Sequence, residues 1–259
     1  MAETIAVLSL KGGTGKTTTV RTLSDVLRRV GLDVLAIDLD PQGNLSDYFD
    51  IPPDASPTIA DVLAGDVKAK NAIHDGIVPA TPILAEVERS LSGKMGRELV
   101  LRKALKDARK QHDVILIDCP PALGLLTING LVAADWALIS SEAQYFALQG
   151  VQGALEVIEQ AKEFYNPDLE WLGVVMNIAD MRTVHSREAY AQLTEHYSDK
   201  VFQTVIRSSI AYAESAERAQ SILDHRPDLG ADYLALADEV LARIGLRDAR
   251  RALKPLLAS

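Results

Sequence analysis

Short, continuous apolar runs recur along the chain and alternate with longer segments in which apolar residues are spaced three or four positions apart. The runs lack the strict polar–apolar alternation of a strand with one wet face. They are therefore typical of parallel strands that are covered on both faces. Six runs predict strands, at Ile5–Leu10, Val34–Ile37, Val114–Ile117, Trp136–Ser140, Leu172–Met176 and Val201–Ile206.

The longer segments between these runs have the spacing of amphipathic helices. After Gly15, apolar residues from Val20 to Val30 follow at steps of three and four. Gly31 ends this predicted helix, because glycine readily adopts the left-handed conformation that closes a helix. The same spacing predicts helices over Leu99–Ala108, Val151–Phe164, Glu188–Tyr197 and Tyr233–Ile244.

Alternation of strands and helices predicts an α/β fold: a single-domain, doubly wound, mostly parallel sheet flanked by helices. The proline-rich segment Ile51–Pro57 and the region Pro79–Gly96 are interpreted as surface excursions. We find no linker long enough to divide the chain, so one domain is expected over 1–259, with a basic tail or final helix over 245–259.

Composition narrows the class of protein. The chain has 259 residues, of which 47% are hydrophobic and 24% charged, as in soluble globular proteins. Cys119 is the only cysteine, which excludes an intramolecular disulfide and any metal or iron–sulfur site built from two thiolates of one subunit. The start of the chain lacks the profile of a signal peptide, and no apolar run approaches the roughly 20 residues that span a bilayer. A cytoplasmic protein is expected.

The net charge of −9 means that any nucleic-acid binding must come from a local basic patch. Two basic stretches exist. Lys94–Lys110 carries seven Lys and Arg against two acidic residues, and Arg243–Lys254 carries five against one. We interpret the first as a solvated helix face and leave the role of the second open.

A glycine-rich segment directly after the first predicted strand predicts a phosphate site. Glycines let backbone N–H groups approach phosphate oxygens, and the start of the next helix adds unpaired N–H groups and the positive end of its dipole. Within this loop Lys16 would neutralise phosphate charge, and the Thr17 hydroxyl could bind Mg²⁺. The segment reads Lys11-Gly12-Gly13-Thr14-Gly15-Lys16-Thr17-Thr18.

The loop departs at one position from the strict Walker A pattern, because Leu10 stands where the first glycine is expected. In this form it resembles the deviant Walker A box of the ParA/MinD group of P-loop NTPases, in which a second, signature lysine, here Lys11, opens the loop. The resemblance covers nearly the whole chain and is to the ParA/Soj chromosome- and plasmid-partition ATPases in particular. The matching segments are Ile37–Asn44, Ile117–Pro121, Leu123–Gly130, Asp180–Thr183, Asp199–Val201 and Gly230–Ala231.

The resemblance implies ATP hydrolysis with Mg²⁺, a reaction that depends on positioning and charge neutralisation more than on covalent catalysis. It implies that Asp118 holds Mg²⁺ through a water, that Asp38 is a supporting metal ligand, and that Asp40 orients the attacking water. Lys11 would reach the phosphates of the partner subunit in an ATP-bound homodimer. Lys11, Lys16 and Asp40 are thus the expected catalytic residues.

The resemblance also implies contacts to the base and to DNA. By position, the base lies near Asn177 and the segment Arg207–Ser209, of which Arg207 and Ser209 are the expected contacts; the family commonly has a proline at the first of these positions. Sequence-independent contact to duplex DNA is expected from Arg182. A second family arginine falls on Ala211 here, and Arg207 is the possible substitute.

The expected function is therefore an ATPase that dimerises with ATP, segregates or positions DNA and associates with the nucleoid, with a ParB-like or other adaptor that stimulates hydrolysis. Positioning of a protein cargo by a ParA-like mechanism stays open. A MinD-like membrane-cycling ATPase is the other alternative, although the tail Leu246–Leu257 is short, contains Pro255 and lacks Trp and Phe, so its burial in a bilayer would be weak.

Overall fold

All seven strands of the protein run parallel in one sheet, in a computed structural model that describes residues 1–144 and 146–258. The order across the sheet is β3-β2-β4-β1-β5-β6-β7, so the chain winds away from β1 in both directions. The strands are β1 (Glu3–Leu8), β2 (Val34–Asp38), β3 (Ile77–Val78), β4 (Val114–Asp118), β5 (Trp136–Glu142), β6 (Glu170–Ala179) and β7 (Val201–Arg207).

Helices cover both faces of this sheet, and three short 3₁₀ turns lie at Ala69–Ala72, Arg97–Leu99 and Ser198–Lys200. The helices are α1 (Lys16–Arg29), α2 (Asn44–Tyr48), α3 (Ile59–Ala64), α4 (Leu84–Leu91), α5 (Val100–Ala104), α6 (Ala108–Gln111), α7 (Leu125–Ala133), α8 (Ala147–Phe164), α9 (Val184–Tyr197), α10 (Ala211–Glu217), α11 (Ile222–His225), α12 (Pro227–Arg243) and α13 (Arg247–Leu257).

Two apolar layers hold the helices on the sheet. Successive side chains of a strand point to opposite faces, so Ala6 and Leu8 of β1 enter one layer while Ile5 and Val7 enter the other. The first layer lies under α3, α4, α5, α7, α8 and α9, and the second lies under α1, α11, α12 and α13. Burial of the strands on both faces explains their continuous apolar runs. The doubly wound parallel fold expected from the sequence is confirmed.

Several predicted boundaries are wrong. β1 ends at Leu8, because Ser9 and Leu10 belong to the loop that turns into α1. The helix predicted over Leu99–Ala108 is divided into a 3₁₀ turn, α5 and α6. At the first of these divisions, the buried Asn129 accepts a hydrogen bond from the Leu101 amide and donates one to the Arg97 carbonyl, which holds the 3₁₀ turn against the start of α5.

Part of the region interpreted as a surface excursion is packed. Pro79–Gly96 contains α4, whose Leu84 and Leu91 side chains are buried in the core. The two-residue strand β3 was not predicted either, since so short a run carries no periodicity. Among the residues that the structure describes, no helix is long and apolar enough to cross a membrane.

Candidate active site

The phosphate loop leaves the carboxyl end of β1 at the centre of the sheet, where neighbouring strands connect in opposite directions. Such a switch point is where open α/β sheets bind ligands. Gly13 and Gly15 have φ angles of 77° and 81°, in the left-handed region that favours glycine. A side chain at Gly15 would also crowd Asn177, because its Cβ would lie 3.2 Å from the Asn177 Cγ.

Three hydroxyl groups pin the loop in place. Ser9 Oγ donates to the carbonyl of Lys11 at 2.7 Å, and Thr14 Oγ1 donates to Ser9 Oγ at 2.9 Å. Ser140 Oγ, from the neighbouring strand β5, donates to the carbonyl of Thr14 at 2.7 Å. The loop is therefore held in its curved shape by the protein itself.

The positive charge and the N–H donors of the phosphate site lie at the start of α1. Gly15 is the N-cap and offers no side chain to the first-turn amides, which leaves them available to an anion. Lys16 is the first residue of the helix, and its side chain is buried. The arrangement suits a phosphate group.

Two carboxylates stand side by side at the ends of β2 and β4, since Asp38 and Asp118 are paired in the strand register. Thr17 Oγ1 donates to Asp118 Oδ2 at 2.7 Å, whereas Asp118 Oδ1 is buried and has no partner among the described residues. Burial, reinforced by the charge of Asp38, raises the pKa of Asp118 above its usual range. A buried, half-satisfied carboxylate next to a hydroxyl fits a Mg²⁺ site.

Asp38 organises the segment that follows β2. Its carboxylate accepts hydrogen bonds from the Asp40 amide and from both the amide and the hydroxyl of Ser46, at 2.8 to 3.0 Å. Burial nevertheless raises the pKa of Asp38. Both of its oxygens are thus engaged by the chain, and its role as a metal ligand stays a prediction. Ser46, which sequence reasoning missed, also accepts a bond from the Ala80 amide.

In the described part of the chain, no cluster of three or more His, Cys, Asp or Glu side chains could hold a metal ion by itself. Mg²⁺ is commonly held by one or two protein ligands together with waters and substrate phosphates. Thr17 and Asp118 match that mode, because they supply two oxygens beside a phosphate loop and leave the remaining positions to other ligands.

A cavity of about 560 Å³ opens beside the phosphate loop. Asn177, Arg207 and Ser209, the residues expected near the base, all line it. Asn177 is buried, and its amide group donates to Ser140 Oγ at 2.7 Å, which couples the cavity wall to the loop. The sequence-based grouping of these residues with the loop therefore matches the geometry.

Tyr212 of α10 is a cavity residue that sequence reasoning missed. Its ring packs edge-on to Tyr233 with centroids 6.0 Å apart, and its hydroxyl is buried without a partner among the described residues. Burial, with a smaller contribution from Asp232, raises the pKa of this hydroxyl. The sequence offered one signal for Tyr212: an aromatic residue directly after Ala211, at the start of a helix that faces the loop.

Lys11 lies on the rim, outside this cavity, and 63% of its side chain is exposed. Its ammonium group contacts Glu142 at 2.8 Å and Gln144 at 3.0 Å. The signature lysine is thus paired within its own subunit. Just before it, Leu10 fits against α8 where Gly153 has no side chain, and a methyl group there would overlap the leucine.

The two arginines expected to contact DNA are also paired within the chain. Arg182 makes a two-pronged contact with Asp180 at 2.8 Å, although 91% of its side chain is exposed, and it does not line the cavity. Arg207 binds Asp232 at 2.9 Å and the Asp228 carbonyl. Arg207 therefore ties β7 to α12.

The predicted basic tail forms α13, and its last residue, Ser259, lies outside the described residues. Ala249 and Leu253 are buried in the layer that includes α12, and Arg250 pairs with Asp238 at 2.7 Å. Part of the apolar side of the helix is thus covered by the rest of the protein. This packing removes Ala249 and Leu253 from the surface that membrane insertion would use, whereas Leu257 is exposed.

Comparison with known proteins agrees with this geometry. A family model described as an AAA domain matches residues 2–171. The sporulation initiation inhibitor protein Soj of Bacillus subtilis is 36% identical over 251 residues, covering 93% of this chain and 99% of that protein. The chromosome-partitioning ATPase Soj of Thermus thermophilus is 38% identical over 246 residues, covering 93% and 96%.

Solved structures share the fold. A cobyrinic acid a,c-diamide synthase from Mycobacterium smegmatis, with bound ATP analogue and magnesium, is 36% identical with a TM-score of 0.77 and covers 87% of this chain and 96% of its own. The septum site-determining protein MinD from Pyrococcus horikoshii, complexed with Mg-ADP, is 26% identical with a TM-score of 0.77 and covers 95% and 98%.

The parallel sheet, the loop at its switch point and the paired carboxylates define a P-loop ATPase. The chain belongs to the AAA domain family of the matching model, and within it to the ParA/Soj-type partition ATPases.

Proposed function

We propose that the protein hydrolyses ATP with Mg²⁺, dimerises when ATP is bound, and segregates or positions DNA with a ParB-like or other adaptor that stimulates hydrolysis. The observation that carries the proposal is the pinned phosphate loop beside Asp118, whose Oδ1 atom is buried and unpartnered in the described part of the chain. The magnesium and nucleotide complexes of related structures support the choice of ligand.

Each residue of the site has a role in this reaction. The loop amides and Lys16 bind the phosphates, and Thr17 with Asp118 would hold Mg²⁺, directly or through water. The metal neutralises charge on the phosphate oxygens when it is bound. Asp40 orients the attacking water, and its backbone amide is fixed by Asp38 at 3.0 Å.

Dimerisation brings Lys11 to the ATP of the partner subunit. An exposed lysine at the start of the loop can supply positive charge to phosphates in trans, as an arginine finger does. Within one subunit the same ammonium group is occupied by Glu142 and Gln144. ATP-dependent association therefore exchanges an intramolecular pair for an intermolecular one.

Replacement of Asp40 by alanine tests the proposal. Asp40→Ala should retain ATP, because Lys16 and the loop amides are intact, yet lose steady-state phosphate release and accumulate the dimer in light scattering. Addition of Lys11→Ala should return that dimer to monomer. Asp54→Ala, in the exposed loop before α3, is the matched control and should turn over normally. Normal turnover by Asp40→Ala would overturn the assignment.

The ATP-bound dimer should bind duplex DNA without sequence preference and associate with the nucleoid, whereas the acidic monomer should bind poorly. Fluorescence anisotropy with unrelated duplexes, with and without ATP, measures this step. Sedimentation with anionic liposomes measures the membrane alternative, which the burial of Ala249 and Leu253 in α13 disfavours. An ATP-bound dimer that ignores DNA at low salt but sediments with liposomes would replace the proposal by that alternative.

A further inference from the structure

Two surface grooves with basic linings meet at Lys103. One, of about 530 Å³, is also lined by Arg102 and Lys106. The other, of about 380 Å³, lies between α5 and the segment after α3, and is also lined by Lys68 and Lys70. All five side chains are exposed, and we call them together the basic face.

The basic face carries uncompensated charge. Within residues 1–144 and 146–258, none of its four lysines forms an ion pair with a carboxylate. Arg102 makes one contact, at 3.4 Å, with the carbonyl oxygen of Tyr165, which leaves its charge unneutralised. The lysines come from two separate segments, so the charge does not follow from one helix having a solvated side.

The carboxylates in the same grooves are mostly engaged elsewhere. Asp107 pairs with Lys110 at 3.3 Å, and Asp135 pairs with Arg109 at 2.6 Å. Asp168 is the remaining acidic residue in the lining. A concentrated positive face in a chain of net charge −9 therefore stands out from its surroundings, and it needs a dense source of negative charge to be complemented.

The arginines favoured by sequence resemblance differ in this respect. Arg182 and Arg207 each hold a carboxylate of their own subunit, Asp180 and Asp232. Phosphate binding at those positions must first displace that carboxylate, whereas no lysine of the basic face is paired with one in the described part of the chain.

We propose that the basic face binds the sugar-phosphate backbone of duplex DNA without reading its sequence. The proposal rests on the DNA binding proposed above and adds a surface to it. Duplex DNA carries one negative charge about every 1.7 Å of its axis, a density that a cluster of unpaired cations complements. Lysine ammonium groups act as point charges without the fork that reads base edges, so their contacts suit the backbone.

The basic face lies at the amino-terminal ends of the central parallel strands, whereas the phosphate loop lies at their carboxyl ends. Its larger groove includes Met1, before β1, and Asp135, before β5, whereas the loop follows the other end of β1. Charge reversal there removes DNA contacts without touching the residues assigned to ATP. DNA binding and basal hydrolysis can therefore be separated by mutation.

The test is anisotropy of a fluorescein-labelled random-sequence duplex, titrated with the full-length protein and a slowly hydrolysed ATP analogue from 50 to 200 mM salt. Lys103→Glu with Lys106→Glu should weaken binding at least tenfold and reduce the slope of log affinity against log salt by about 2, since each phosphate contact contributes about 0.9. Basal ATP hydrolysis should stay at the wild-type rate. The milder Lys103→Gln with Lys106→Gln should give a smaller loss in the same direction.

Arg89→Glu with Lys94→Glu is the matched control, because it makes the same change of net charge at two exposed cations of another segment. It should change the affinity less than threefold. Equal losses in the control and the test pair would overturn the basic face as a binding surface and indicate a general charge effect.

Two further outcomes separate this inference from the proposed function. If the wild type binds the duplex and both double variants at Lys103 and Lys106 bind as tightly as the wild type with unchanged slopes, the inference fails and the proposed function stands. If the wild type does not bind the duplex at 50 mM salt, both fail. Loss of polyglutamate binding by the Glu double variant in that second case would reassign the face to an acidic polypeptide.

Discussion

Charged side chains are buried in the region of the phosphate loop and exposed on the surface outside it. In the loop region Lys16 and Asp118 are buried, and the Asp118 Oδ1 atom is left without a partner among the described residues. Outside the loop region, the side chains of Lys11, Arg182 and Arg207 are exposed, and each pairs with a carboxylate of its own subunit. The buried charges need a ligand to complete their contacts. The exposed cations already have partners within the chain, which another molecule must displace.

Lys16→Ala tests the buried side of this comparison and should have the largest effect. A hydrogen-bonded charge contact is worth about 1.5–3 kcal/mol, so nucleotide affinity should fall roughly 10- to 100-fold and hydrolysis should disappear with it. Equilibrium binding of a fluorescent ATP analogue measures the loss. Lys94→Ala, at an exposed lysine, should bind normally. An affinity within twofold of wild type for Lys16→Ala would contradict its placement.

Asp118→Asn should stabilise the protein without nucleotide or Mg²⁺, because it removes a buried charge. The pKa of Asp118 is raised by folding, so its ionised form opposes folding increasingly as the pH rises from the ordinary value of 3.8 to the folded value. Each pKa unit corresponds to about 1.4 kcal/mol. The melting temperature should rise by several degrees at pH 8 and by less at pH 5.

The matched measurement for Asp118→Asn is thermal unfolding with and without Mg²⁺ and ATP. The wild type should gain stability from the ligands and the variant should gain little, since the metal loses a carboxylate. A variant that is less stable than the wild type at pH 8 without ligand would show that the Asp118 charge is compensated in the folded state.

Tyr212→Leu sharpens the description of the cavity. Removal of the aromatic ring should weaken ATP binding about fivefold, since ring packing against a base is worth about 1–3 kcal/mol where contact is complete and less where it is partial. Tyr165→Leu, on the far side of the domain, is the control and should leave the affinity unchanged. Equal affinities for the two variants would exclude Tyr212 from base contact.

Glu142→Gln tests the exposed ion pair of Lys11 and should have the smallest effect. Exposed ion pairs contribute about 0.2–1 kcal/mol, so releasing Lys11 should tighten ATP-dependent dimerisation by no more than about fivefold. Sedimentation velocity in the Asp40→Ala background measures the dimer. Glu170→Gln breaks the comparable pair with Lys162 and should have no effect. Weaker dimerisation in Glu142→Gln would mean that this carboxylate supports the interface.

The sequence predicted those parts of the molecule whose signal is local. Continuous apolar runs located six strands, and the glycines and Lys16 located the loop, because a strand buried on both faces and a left-handed turn restrict the residues that can occupy them. The cavity residues Asn177 and Ser209 were reached through resemblance. The two-residue β3 and the 3₁₀ turn that Asn129 holds at the start of α5 depend on contacts distant along the chain, which periodicity does not record.

The sequence also did not predict which charged side chains pair with one another. Arg182 and Asp180 are close in the chain, but Lys11 meets Glu142, and Arg207 meets Asp232, only through the packing of separate strands and helices. The same holds for the basic face, where Lys68 and Lys70 join the cations of α5. The stretch Lys94–Lys110 alone gave no reason to separate these lysines from an ordinary solvated surface.

The fit of Leu10 against Gly153 connects the phosphate loop to α8. α8 is 18 residues long, so it is a rigid rod of about 27 Å with its first half seated on the residue that precedes the signature lysine. Any shift of the loop towards a partner's nucleotide would carry Leu10 along the side of α8 where Gly153 leaves room for it. A side chain at position 153 of α8 would therefore bear directly on the position of the loop, because its Cβ would overlap a methyl group of Leu10.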